Sequence, residues 1–178
     1  MTFYPELNGP ALDAHRKMID SLKARAMKEL NLGPDEIVVR PLRPADLGDS
    51  SSSPDYGFGM TALTWSNIVN NQTIADCRYI GINGIHMFAN NASTAATRDG
   101  VPPVSQIRIT RKGSMSRYWP VHPISHFQHS TGWADDPIMV DQNTSITIEG
   151  LARNAASLTD VFDLLGVVVE KRGMLINP

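Results

Sequence analysis

One cysteine, Cys77, stands among 178 residues, so no internal disulfide framework holds this chain and a packed core must. Excess charge is missing as well: 16 Lys and Arg against 18 Asp and Glu leave a formal net charge of −2, which gives no bulk attraction to nucleic acid or anionic lipid. No run reaches the roughly 18 apolar residues of a membrane-spanning helix. The most apolar stretch, Val161 to Val169, is interrupted by Asp163. The opening Met-Thr-Phe-Tyr-Pro-Glu lacks a basic flank leading into an apolar segment, and folding in a reducing cytoplasm is expected. The absence of any internal repeat of about 20 to 50 residues argues against propellers and solenoids.

What is present suits one domain, or one domain with an arm. The chain is 42% hydrophobic, enough to bury a core without disulfides or metals. Gly9-Pro10 starts a helix and Gly33-Pro34 ends it, because proline at the first helical position loses no needed donor. On a helical wheel Leu12, Met18, Ile19, Leu22, Ala26 and Leu30 fall within an arc of about 120°. Lys17, Lys23, Lys28, Asp13 and Asp20 fall outside it. This apolar face must be covered, either by the helix's own domain or, through Leu12, Ile19, Leu22 and Leu30, by a neighbouring subunit. Arg16 and Arg25 join the lysines on the helix, so an anionic membrane surface is a third partner to weigh.

Beyond the helix the pattern is strands and turns. Ile37 to Val39 read as a short strand, followed by a Pro-, Gly- and Ser-rich loop at about 48–59. Ala62 to Val69 and Thr73 to Phe88 carry β-branched and aromatic residues, with Asn70-Asn71 as the expected turn and Gly81 and Gly84 marking either a bulge or a split of the second segment in two. A small-residue loop is expected at about 90–103. Ile107, Ile109 and Arg111 then alternate with Arg108 and Thr110 into a turn at Lys112-Gly113 and a return strand, Met115 to Val121. Ile138 to Val140, Ile146 to Ile148 and Val167 to Val169 are further strand cores, with a turn at Gln142-Asn143. The segment Ala155 to Leu165 is expected as a short helix or wide loop, and Lys171-Arg172-Gly173 as the closing turn. Short strands without β-α alternation predict a mainly β fold, an antiparallel sandwich or barrel of jelly-roll type with about eight strands. The expected organisation is a helical arm at 1–35 and a β-barrel domain at 36–178.

The residues that would carry chemistry lack the spacing that chemistry needs. His122, His126 and His129 crowd one segment and are the candidates for a metal. On a strand, however, His122 and His126 share a face that His129 does not, and Pro123 disfavours a helix there. Neither a metal nor another cofactor is therefore expected. Cys77, between Asp76 and Arg78 in a predicted strand, would need a histidine such as His86 brought to it by the fold. Asp135-Asp136 lacks the multi-oxygen loop of a calcium site and is expected as a turn before Pro137. There is no Gly-x-Ser-x-Gly elbow and no phosphate-binding glycine loop.

Arg108, Arg111, Lys112, Arg117, Tyr118 and Trp119 form a basic-aromatic mixture around the hairpin, but the slightly acidic chain argues against specific nucleic-acid binding. Trp65, Trp119, Trp133 and Tyr118 are candidates for a sugar-stacking platform. The sequons at Asn71, Asn91 and Asn143 read as polar turns.

The Ile-Arg-Ile-Thr-Arg-Lys-Gly hairpin, Asp-Gln-Asn-Thr-Ser-Ile-Thr-Ile-Glu-Gly and the closing Gly-Val-Val-Val-Glu-Lys-Arg-Gly resemble strand and turn segments of single jelly-roll capsid and virion structural proteins. That resemblance, over roughly Met60 to Pro178, implies a non-enzymatic protein made in the host cytoplasm and built into a virion. Its partners would be copies of itself, other virion proteins and an internal membrane surface. Two departures stand out: the chain is too short for a double jelly roll, and it has no strongly basic arm. The alternatives are a β-sandwich module that binds carbohydrate or a protein partner, and a cupin-like metal enzyme.

Overall fold

The computed structural model describes residues 1–48, 56–60, 63–87, 104–114, 116–127, 129–152 and 156–173, with the backbone alone for 56–60, 122, 125, 152 and 156–161. Ten strands and one α-helix are found among them. The strands are β1 (Phe3–Tyr4), β2 (Ile37–Pro41), β3 (Tyr56–Met60), β4 (Trp65–Thr73), β5 (Arg78–Met87), β6 (Val104–Arg111), β7 (Arg117–Pro120), β8 (Thr131–Val140), β9 (Ser145–Ala152) and β10 (Ala156–Lys171). The helix, α1, spans Gly9–Leu30.

The molecule is mainly β, an antiparallel sandwich of two sheets with the helix outside. One sheet runs β1-β8-β5-β10-β2, with β3 also paired to β10, and the other runs β4-β9-β6-β7. Every pairing is antiparallel. Taken from β3 onward, the spatial orders are β3-β10-β5-β8 and β4-β9-β6-β7, so the chain crosses between sheets at nearly every connection. This is the jelly-roll order, the eight-stranded solution in which two Greek keys wrap one core.

The alternation of β5 and β10 builds three layers. Ile80, Ile82, Phe162, Leu164 and Val168 point between the sheets and meet Ile107, Ile109, Trp119, Ile146 and Ile148. Tyr79, Val167 and Val169 point the other way, onto Met18, Leu22 and Ala26 of α1. Because its two faces are both covered, the end of β10 reads in the sequence as the unbroken run Gly166-Val-Val-Val.

Helix α1 therefore lies on its own domain, across β8, β5 and β10. Its buried residues are Ala11, Ala14, Met18, Leu22 and Ala26. Leu22 is fully buried, Ile19 and Leu30 pack at the margin of the same cluster, and Leu12 is half-buried. The buried stripe is rotated toward two alanines that the wheel of large residues leaves out. Small side chains there let the helix approach the sheet closely, and Gly81 of β5 accepts Met18 and Leu22 where a Cβ would be 2.5 Å from Met18 Sδ.

Four local expectations are corrected. Asn70-Asn71 is not a turn: β4 continues through it as a bulge, with Asn71 at φ 47°, and the chain turns instead at Asp76-Cys77, with Cys77 at φ 60°. Asp135-Asp136 is not a turn before a strand but lies inside β8, where residues 134–137 bulge opposite the single Asn83; a bulge spares Pro137 from the ladder. Of the segment expected as a short helix or wide loop, Ala155 lies outside the described residues, and from Ala156 to Leu165 it is instead the first part of β10, held by β3 and β5. Part of the loop expected at 48–59 is strand β3, Tyr56–Met60; its 49–55 portion, and the loop expected at 90–103, lie outside the described residues. Of the bulge or split expected at Gly81 and Gly84, the bulge is found, at Asn83 of β5 opposite β10, and the 107–121 hairpin and the turns at Asn143 and Gly173 are found where expected.

Candidate binding surface

The four-stranded sheet buries one face in the sandwich and presents the other outward. In β6, Ile107 and Ile109 are buried, so Arg108 between them points outward. Its register partners are Glu149 on β9 and Tyr118 on β7, and Glu149 in turn faces Asn67 on β4. One row, Asn67, Glu149, Arg108 and Tyr118, thus crosses all four strands.

Trp65, two residues before Asn67 on the same face, closes over this row. The Arg108 guanidinium sits 4.6 Å from the Trp65 ring centre, and the Trp65 and Tyr118 rings meet at 6.0 Å and 69°. Glu149 holds the guanidinium with both oxygens, accepting from Nε at 2.6 Å and from Nη2 at 2.5 Å. The hydrogen bond to Glu149 foremost, then that to Tyr118, raises the Arg108 pKa further above its already high value. Arg108 is thus a permanent cation in a fixed orientation. Tyr118 is 53% exposed and Leu63, just before Trp65, is 79% exposed. Trp, Tyr and Arg presented together on a rigid sheet are the residue types that dominate binding energy at protein interfaces, and aromatic faces also stack on sugar rings.

Of the four aromatics proposed as a platform, only Trp65 and Tyr118 come together. Trp119 is buried edge-on to Phe3 at 5.4 Å, and Trp133 packs edge-on to His15 at 6.0 Å on the far sheet. The alternation around Arg108 and the hairpin made Tyr118 legible as its neighbour. Trp65 reaches them only across β9, a long-range pairing with no local signal.

The metal candidates lie in a 3-10 turn, His122–His126, and the loop after it. His126 and His129 are exposed, and the His122 side chain lies outside the described residues. Among the described residues no three His, Cys, Asp or Glu side chains gather in a metal-binding group. Cys77 sits half-buried in its turn, not in a strand, its N–H donating to Gln142 Oε1 at 2.8 Å. Asp135 accepts from the Thr2 N–H at 2.8 Å, and Asp136 pairs with Arg117. Among the described residues no helix is long and apolar enough to cross a membrane.

Fold and surface define an antiparallel β-sandwich with a helix-covered face and an aromatic-cationic outer face. No protein-family model, no curated protein and no solved structure matches the chain.

Proposed function

We propose that the protein is a structural subunit of a virus particle, a capsid or capsid-associated protein that acts by assembling with copies of itself and other shell proteins rather than by catalysis. The observation that supports this reading is the strand order β3-β10-β5-β8 over β4-β9-β6-β7, the architecture shared by many shell proteins. A rigid two-sheet body of this kind packs side by side under symmetry, so that modest contacts add up over a closed assembly. On this reading the protein is made in the host cytoplasm and resides in the virion. The test is electron microscopy of the purified protein, with a search for the chain in purified particles. Regular assemblies or incorporation would support the proposal; a monomer absent from particles would end it.

A second reading has its own observation. The Trp65, Arg108 and Tyr118 cluster suits a β-sandwich module that binds carbohydrate or a protein partner. A glycan array, followed by tryptophan fluorescence on sugar addition, separates the two: a positive array with a Trp65-dependent signal favours the module.

A further inference from the structure

We propose that a groove between β8, the β6–β7 hairpin and α1 binds a phosphate group. The groove has a volume of about 550 Å³ and is lined by Arg25 of α1, Arg111, Ser114 and Arg117 of the hairpin, and Asp136 to Met139 of β8. The two basic groupings that stand apart in the sequence, one on the helix and one around the hairpin, thus contribute to a single concave site.

The charges in this groove do not cancel. Arg25 pairs with Asp141 at 2.8 Å and Arg117 pairs with Asp136. Arg111 has no carboxylate partner among the described residues: its Nε and Nη2 donate to Ser114 Oγ at 3.0 and 2.7 Å, and its Nη1 donates to the Met139 carbonyl at 2.7 Å. Three guanidiniums against two carboxylates leave one positive charge. Those bonds use three of the five N–H donors of Arg111, and they also fix its plane.

A tetrahedral phosphate matches this arrangement better than another carboxylate. It offers three or more acceptor oxygens and up to two negative charges, so it can bridge guanidiniums from different elements while Asp136 and Asp141 stay in place. The groove is larger than phosphate alone. Its lining also includes the apolar Ile109, Pro137, Ile138 and Met139, the two isoleucines nearly fully buried, which suits a phosphate carried on a small organic group. A phospholipid headgroup and a soluble phosphorylated compound share that chemistry.

The test measures binding of inorganic phosphate and glycerol phosphate to the whole chain by calorimetry at low ionic strength. In parallel, flotation is compared on phosphatidylcholine vesicles with and without phosphatidylglycerol. Saturable binding of both phosphates is expected, weakened about tenfold by Arg111→Met and by Arg117→Met and unchanged by Arg16→Met on the exposed face of α1. Arg117 is half-exposed, so its variant tests the site even if loss of the Arg111 contacts perturbs folding. Flotation that requires phosphatidylglycerol and Arg117 identifies the lipid source, and phosphate binding without flotation identifies a soluble one. No saturable binding by the unaltered protein, equal binding by the Arg111 and Arg117 variants, or an equal loss in Arg16→Met would overturn the proposal. Binding of a short oligonucleotide without binding of glycerol phosphate would overturn it as well.

Discussion

Glu170 on β10, only 1% exposed, accepts a hydrogen bond from Arg40 Nε on β2 at 2.8 Å. Its second oxygen accepts from Arg78 Nε on β5 at 2.9 Å, and Arg40 in turn holds Asp46, at the start of the β2–β3 connection, by two bonds of 2.6 and 2.7 Å. Four charges from four segments therefore form one closed cluster beneath the surface. Replacing Glu170 by Gln leaves two guanidiniums sharing the single carboxylate of Asp46. A loss of about 3 kcal/mol is expected, because a buried charge is left without compensation. Urea unfolding monitored by tryptophan fluorescence measures it, and an unchanged midpoint would mean that the cluster is solvated in solution.

Two glycines should respond unequally to the same change. A Cβ on Gly166 would overlap the Gly81 carbonyl, a backbone atom that cannot move without separating β10 from β5. A Cβ on Gly81 meets instead the ends of the Met18 and Leu22 side chains, which can shift. Gly166→Ala is expected to cost about 3 kcal/mol or prevent folding, and Gly81→Ala about 1 kcal/mol. Thermal unfolding of both variants checks the order; the reverse order would contradict the packing of β10 against β5.

These two sites also show what the sequence makes legible. Alternating Ile and Arg residues in β6, the Gly113 turn and the apolar-faced helix between two Gly-Pro pairs declare themselves within a few residues, and the fold class follows from them. The first part of β10 does not. Residues 156 to 165 carry mixed polarity, and what makes them a strand is pairing with β3, about 100 residues away in the chain, and with β5, about 80 residues away. The ion cluster, the Trp65 contact and the three-arginine groove are likewise made by long-range pairing. Asp135 and Asp136 misled for the opposite reason: acidic residues before proline have turn chemistry, but a bulge absorbs them into β8.

The Tyr79 phenol, buried beneath α1, donates to Glu29 Oε2 at 2.7 Å. Burial foremost, then the bond to Glu29, raises its pKa well above the ordinary value. A raised folded-state pKa means that the native state keeps its proton where the unfolded chain has released it. The contribution is complete below the ordinary tyrosine value of about 10 and is lost as pH rises from there toward the folded value. Tyr79→Phe is expected to cost about 1 kcal/mol at neutral pH and to flatten the alkaline loss of stability. Unfolding curves of both proteins between neutral and alkaline pH test this, and parallel pH profiles would exclude it.

On the outer face, Arg108→Ala removes a partly exposed ion pair and is expected to change stability by no more than about 1 kcal/mol. If the Trp65 cluster is an interface, the same variant loses association. Unfolding and sedimentation on one preparation separate the two effects, and a large stability loss with association intact would make the cluster a purely internal brace.

Assembly is tested most directly by the mass of the native protein across a concentration series, by sedimentation together with electron microscopy. A shell subunit should form particles of regular size, or enter them when co-expressed with its partner shell proteins. A monomer at every concentration, with no uptake into particles, would contradict the proposed role.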